Sequence, residues 1–340
     1  MLDRCDTNNL RPGSLVDRFG RQVSYLRLSV TDRCDLRCTY CMPERMRFVP
    51  RAKLLSLDEM AQVAEDFIRR GVSKIRITGG EPLVRRDVLS LFRRLSRHLG
   101  AHALEELTLT TNGTQLARFA ADLAACGVAR VNVSLDTLDP VRYREITRFG
   151  RIEKVLAGLD AALAAALKVK LNATATRGAF EEEVDALIRF AHGRGMDLTL
   201  IEEMPLGADM RDRGETFLSL RTLEAALASR WTLSPLSATT GGPARYLRVA
   251  ETGGRLGLIS PLSCNFCAAC NRLRVSATGV LYPCMSDEGG VDLRPALRTG
   301  PEVFDRLVGA ALAGKPAGHS FGAETGARPA LARHMSVLGG

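Results

Sequence analysis

Histidine and aromatic residues are scarce in this chain: five His, one Trp, and aromatics at only 5% of the 340 residues. The His residues form no constellation, so a hydrolase built on a catalytic imidazole finds no support. Long apolar runs are missing too. The longest, 155–167, is broken by Asp160 and is well short of a membrane span. The first residues, MLDRCDTNNLRPG, are polar and contain no apolar signal region, so a cytoplasmic chain with reduced thiols is expected. The net charge is +9, yet no basic tail and no interleaving of aromatic with basic residues accompanies it. That lowers nucleic acid as a partner and leaves a solvated basic surface or an anionic small substrate.

Cysteine is plentiful. Of nine, six fall into two triplets: Cys34-x3-Cys38-x2-Cys41 and Cys267-x2-Cys270-x13-Cys284. In a reducing compartment these are metal ligands or core residues rather than disulfides. A structural zinc or a cubic iron–sulfur cluster takes four protein ligands, so each triplet is one short. No His stands near 34–41 to complete a zinc site. Two metal sites, each leaving a coordination position for a small molecule, point to an enzyme.

Residues 25–204 carry a βα rhythm. Short apolar or β-branched runs at 25–30, 74–77, 106–111, 130–135, 169–174 and 197–203 read as parallel strands covered on both faces. Helical patterns fill the gaps at 87–98, 114–126, 152–167 and 180–192. Another opens on the capping box Ser56-Leu57-Asp58-Glu59 and stops at Gly71. The fold class is α/β, an incomplete (βα)6 TIM-type barrel, in which chemistry sits at the C-terminal strand ends. The first triplet follows strand one, and Gly79-Gly80-Glu81-Pro82 follows strand two. After about Leu206 the rhythm stops. Short helices are expected near 221–230 and 301–313, within a region that leans on the barrel.

The first triplet, with Tyr40 before its last Cys, resembles the signature of the radical S-adenosylmethionine enzymes, and Gly79-Gly80-Glu81-Pro82 resembles their glycine motif. That resemblance implies a [4Fe–4S] cluster on Cys34, Cys38 and Cys41, with the cofactor's methionine end on the open iron. It implies cofactor contacts from Tyr40, Gly80, Glu81, Ser134 and Met204, the glycines giving the methionine close approach to the backbone. The second triplet within Phe266-Cys267-x2-Cys270-Asn271-Arg272-Leu273-Arg274, and the final Gly339-Gly340, resemble one subfamily along the whole chain. This is the GTP 3′,8-cyclase family of molybdenum cofactor biosynthesis, a lyase-type activity.

The resemblance implies a second [4Fe–4S] cluster on Cys267, Cys270 and Cys284 that binds the guanine of GTP. It implies GTP contacts from Arg27, Lys74, Arg76, Thr110, Lys170, Arg272, Leu273 and Arg274, and catalytic roles for Arg272, Arg274, Gly339 and Gly340. A radical formed at the first cluster takes the hydrogen from ribose C3′, C3′ adds to guanine C8, and the product is 3′,8-cyclo-7,8-dihydro-GTP. A homodimer, an external electron donor and a downstream cyclic pyranopterin monophosphate synthase come with the family. The domains expected are an arm at 1–20, the partial barrel at 21–235 and a C-terminal iron–sulfur region at 236–340. Charged residues inside strands, such as Arg27, Arg76 and Lys170, agree with an anion site, because a buried charge is costly unless paired. Thr199 stands where many relatives carry an Arg, so one phosphate or ribose contact must come from elsewhere, with Arg211 or Arg213 as candidates. Cys264 is read as a spectator and Cys126 as a core residue at a helix end, while Cys5, in the polar N-terminal arm, is unassigned. A radical S-adenosylmethionine peptide maturase with an auxiliary cluster is the alternative enzyme, and an iron–sulfur or zinc nucleic-acid regulator the alternative outside catalysis.

Overall fold

The structure, a computed structural model, describes residues 14–100, 103–207, 214–237, 240–319, 321 and 333–339. A short hairpin, β1 (Leu15–Val16) and β2 (Gln22–Val23), precedes the main sheet. Six strands then run parallel in chain order: β3 (Tyr25–Ser29), β4 (Lys74–Thr78), β5 (Glu106–Thr111), β6 (Arg130–Ser134), β7 (Lys168–Ala175) and β8 (Asp197–Glu202). Between them lie α1 (Leu57–Arg69), α2 (Val88–Ser96), α3 (Leu116–Ala125), α4 (Pro140–Thr147), α5 (Ile152–Ala164) and α6 (Ala179–Gly193). The capping box opens α1 as expected: Glu59 N donates to Ser56 Oγ at 3.1 Å and Ser56 N to Glu59 Oε2 at 2.7 Å.

The rest of the chain is α7 (Leu220–Ala228), β9 (Leu233–Leu236), β10 (Arg245–Val249), β11 (Arg255–Ile259), β12 (Arg272–Val275), β13 (Val280–Tyr282), β14 (Val291–Asp292), α8 (Arg294–Thr299), α9 (Pro301–Ala313) and α10 (Met335–Leu338). This region does more than lean on the barrel. β12 pairs parallel with β3, and β11 pairs parallel with β8, so the C-terminal half extends the six-stranded sheet at both edges. Antiparallel β13–β14 and β10–β9 then complete a twelve-stranded sheet. Among the described residues no helix is long and apolar enough to cross a membrane.

The two faces of the sheet differ sharply. Leu26, Leu28, Ile75, Ile77, Leu107, Leu109, Val131, Val133, Leu198 and Leu200 are buried in one core under the helices. Each such side chain contributes about 1.5–3 kcal/mol on burial. The alternating positions, Tyr25, Arg27, Arg76, Asn132, Lys170, Asn172 and Ile201, point the other way and line a cavity. Side chains of β12 on one flank and of β8 and β11 on the other share that cavity, so the sheet curls around it. The strands are therefore not uniformly apolar. Their inward face is polar, because it surrounds space rather than a second core layer.

Candidate active site

The first triplet occupies the loop after β3, at the C-terminal end of the parallel strands. Loop and glycine motif hold each other: Gly80 N donates to Thr31 O at 2.7 Å and Glu81 N to Arg33 O at 2.8 Å. A Cβ on Gly80 would stand 2.4 Å from Arg33 O and 2.7 Å from Asp32 O. The glycine is thus required by the cysteine loop itself, a reason distinct from the expected approach of a ligand. Glu81 is buried and accepts from Leu83 N (2.9 Å), Thr111 Oγ1 (2.8 Å) and Asn112 N (2.6 Å). Burial pushes its carboxyl up to about 7, against those three donors. In this structure Glu81 joins β4, β5 and the cysteine loop.

Cys34, Cys38 and Cys41 are free thiols. Burial pushes Cys34 and Cys41 up to about 12, and Cys38 well above its ordinary value. Donors nevertheless face the sulfurs: Leu36 N lies 3.4 Å and Asn112 Nδ2 3.6 Å from Cys34 Sγ, and the Ser336 backbone N–H faces Cys41. Asn112 Nδ2 also donates to Asp35 Oδ1 at 2.7 Å, and Thr114 Oγ1 to Asp35 Oδ2 at 2.6 Å, which pins the loop to the end of β5. Thiols this dry and facing N–H donors suit sulfurs that carry charge only when bonded to metal. Among the described residues no three His, Cys, Asp or Glu converge as tightly as a single ion demands; a cubane, with its irons spread over several bonds, takes a wider triad. The Tyr40 hydroxyl donates to Asp136 Oδ2 at 2.7 Å, and Asp136 Oδ1 accepts from Thr174 N at 2.8 Å. Ser134 ends β6, and Met204, just past β8, lines the cavity.

The cavity holds about 1090 Å³ counted to its open mouth. Its described lining contains five cations, Arg27, Arg76, Lys170, Arg272 and Arg274, and no Asp or Glu. Burial, reinforced by neighbouring guanidinium groups, depresses Arg27 and Lys170 well below their ordinary values and Arg274 to about 10. Like charges gathered in one cavity repel one another, and an anion bound among them relieves that repulsion. Lys170 Nζ donates to the Tyr246 hydroxyl at 2.9 Å, and Arg76 Nε to Thr108 Oγ1 at 3.4 Å. Gly339 O accepts from Arg274 Nη1 (3.1 Å) and Arg27 Nη2 (3.3 Å), so the C-terminal segment reaches this cation row.

The second triplet sits at the other end. β12 is parallel to β3 with Arg272 beside Tyr25, so Cys270 lies at the N-terminal end of these strands, while Cys34 lies past the C-terminal end. The five residues of β3 separate the two levels, about 16 Å of strand. Cys267, Cys270 and Cys284 all line the cavity. Arg272 Nη2 lies 3.5 Å and Lys315 Nζ 3.6 Å from Cys270 Sγ. Burial opposes ionisation of Cys270, but those two cations overcome it and bring the thiol down to about 7.

Not every expected residue converges. Lys74 pairs with Glu106 and donates to Thr240 O at 2.5 Å, and neither it nor Thr110 belongs to the cavity lining. Leu273 alternates with Arg272 and Arg274 and is buried in the hydrophobic core, so its side chain is packing, not lining. Thr199 is fully buried on β8, against Gly257 of β11. Cys264 is exposed and outside the lining, and Cys126 is buried at the end of α3. Gly340, Arg211, Arg213 and Cys5 lie outside the described residues. Asn132, Asn172, Tyr246 and Lys315 were missed. The first two have a signal, since they share strand parity with Ser134 and Lys170; Tyr246 and Lys315 have none that is local.

Residues 28–191 match the Radical SAM superfamily, and 196–321 match Molybdenum Cofactor Synthesis C. The GTP 3′,8-cyclase of Nitrobacter hamburgensis is 56% identical over 328 residues, 96% of each chain. That of Agrobacterium fabrum is 53% identical over 342 residues, covering 100% of this chain and 98% of the relative. This chain belongs to the GTP 3′,8-cyclase family. As a member of the radical S-adenosylmethionine superfamily it is an enzyme of cofactor biosynthesis that works with S-adenosylmethionine and an iron–sulfur cluster. Streptococcus suis SuiB bound to S-adenosylmethionine shares the fold, with a TM-score of 0.61 at 17% identity, covering 85% of this chain and 68% of that one. A second solved structure, native anSMEcpe with bound AdoMet, has a TM-score of 0.56 at 18% identity and covers 79% of this chain and 77% of that one. Likeness at that level carries the fold alone and lends nothing to a peptide substrate.

Proposed function

We propose that the chain cyclises GTP between C3′ of the ribose and C8 of the guanine, with two [4Fe–4S] clusters bound at opposite ends of the barrel cavity. The observation that carries this reading is the cavity whose described lining gathers five cations, with the second cysteine triplet in its wall. A triphosphate brings negative charge to this row of cations, and guanidinium groups hold phosphate oxygens with paired, charge-assisted hydrogen bonds. Arg27, Arg76 and Lys170 project into the cavity from β3, β4 and β7 and bind phosphate. Arg272 and Arg274 hold the nucleotide beside Cys267, Cys270 and Cys284, which leaves its base to the open position of the second cluster. Tyr246 keeps the Lys170 ammonium in place. When bound at the first triplet, cluster and S-adenosylmethionine supply a carbon radical able to abstract hydrogen. The chain's own contribution is to fix the ribose within reach and to exclude water.

Gly339, held by Arg27 and Arg274, stands at the cation row and makes the C-terminal tail part of the site. A homodimer, an external one-electron donor, cytoplasmic residence and delivery of the product to a pyranopterin-forming enzyme complete the reading. Anaerobic, reconstituted protein given dithionite, S-adenosylmethionine and GTP is expected to form 5′-deoxyadenosine and cyclised GTP in equal amounts. Cofactor cleavage that ignores the presence of any nucleotide would remove GTP as the substrate.

A further inference from the structure

Lys315 is an unexpected residue. It follows α9 and is 1% exposed, yet no Asp or Glu among the described residues pairs with it. A buried ammonium without a counter-charge costs several kcal/mol. Its three N–H groups are all directed: to Pro283 O at 2.7 Å, to Arg272 O at 2.9 Å and to Cys270 Sγ at 3.6 Å. One acceptor is two residues from Cys270 and another is adjacent to Cys284. The ammonium therefore joins the two separate stretches of chain that carry these cysteines. Neighbouring contacts hold the backbone on which it stands. Arg21, paired with Asp17, donates to Pro316 O (2.6 Å), Ala317 O (3.0 Å) and Cys267 O (2.8 Å). The third cysteine is thereby tied to the same segment.

A clamp of this shape needs only hydrogen-bond donors, which a neutral amide also supplies. The charge calls for a different explanation, and the ligand sulfur within its reach is Cys270 Sγ at 3.6 Å. We propose that Lys315 is a positioning residue for the second cluster, holding its ligand segments together and raising its reduction potential through the fixed positive charge at Cys270. This rests on the two-cluster reading above. A reduced cluster carries one more negative charge than an oxidised one, and hydrogen bonds and cations at ligand sulfurs favour the reduced form. The effect falls on the cluster that faces the substrate, so it sets how readily an electron moves to or from that end of the cavity.

The test compares Lys315→Met, which keeps length and apolar bulk, with Lys315→Arg, which keeps the charge. Both are prepared as the reconstituted full chain. Iron and sulfide are counted, and each cluster's midpoint is followed by paramagnetic resonance in a redox titration. The expected result for Lys315→Met is a second-cluster midpoint shifted to more negative potential, with the first cluster's unchanged and Lys315→Arg close to the parent. Loss of the second cluster from Lys315→Met alone supports the same requirement for charge. An unchanged midpoint in Lys315→Met at full iron content, or equal loss from both variants, overturns the proposal. A parent protein holding iron for one cluster only would instead overturn the two-cluster reading.

Discussion

Arg274 shows how a single cavity residue stands between stability and binding. Its guanidinium is buried, pushed down to about 10 by desolvation and by Arg272, and its Nη1 donates to Gly339 O at 3.1 Å. Arg274→Ala removes one like charge from a crowded row, so the nucleotide-free protein is expected to melt at the same temperature or higher. The GTP complex loses a charge-assisted contact of about 1.5–3 kcal/mol, and KM for GTP should rise roughly 10- to 100-fold. A fall in melting temperature with KM unchanged would make the residue structural. Glu81 makes a second prediction, of opposite electrostatic sense. Burial raises its carboxyl from 4.5 to about 7 in the folded state. A raised folded value contributes stability that is complete below about 4.5 and lost as pH climbs through 7, an effect of about 3 kcal/mol. Denaturant unfolding of apo-protein at pH 5 and pH 8 should therefore show a larger drop for the parent than for Glu81→Gln. Asp136, raised to about 6 by burial, adds the same slope to both proteins. Parallel losses in the two would reject the assignment.

At the scale of elements, the loop of the first triplet and the turn after β4 behave as one unit. The three atoms nearest a Cβ at Gly80 are backbone atoms of Asp32 and Arg33, which cannot swing away as a side chain would. Gly80→Ala is expected to destabilise the apo-protein by about 3 kcal/mol and to lower iron at the first triplet while leaving the second filled. Leu273→Ala, between two arginines of the site, is expected to cost about 2–5 kcal/mol of stability with no change in GTP affinity, because its side chain belongs to the core. The elements also show where sequence is readable. The six barrel strands were legible within about a residue or two at each end because each is a short run of apolar and β-branched residues. That Arg272 and Arg274 share a face was legible from the alternation of side chains along a strand. α4 was missed because it buries only Tyr143 and Thr147, too little for an apolar stripe. Lys315 was missed because it faces the cysteines only after α9 has carried the chain back to them, a placement no local pattern encodes. The glycine motif was found but its reason was not, since the atoms it must avoid belong to a loop roughly 50 residues earlier.

At the scale of the whole molecule, the C-terminal half completes the fold rather than decorating it. β12 closes on β3 and β11 on β8, each in parallel register over four residue pairs. Without them, both outer strands of the six-stranded sheet present unpaired N–H and C=O groups, which recruit other chains. The polar inward face compounds the problem. Arg27, Arg76 and Lys170 would lose the part of the cavity wall formed by Arg272, Arg274 and the second triplet, and the cavity would be open to solvent. Phe304 of α9 also packs edge-on against Phe67 of α1, with ring centroids 5.1 Å apart, so the outer layer is shared as well. A truncation after residue 236 is accordingly expected to fail as a domain: low solubility, aggregation on sizing columns and no cooperative thermal transition, even with the first triplet loaded with iron. A monomeric fragment with a sharp transition would mean that the barrel is complete at β8 and that the C-terminal half is an appended module. The full chain, if the shared sheet governs stability, should unfold in one transition that both a probe at the first cysteine loop and a probe near Trp231 report at the same denaturant concentration.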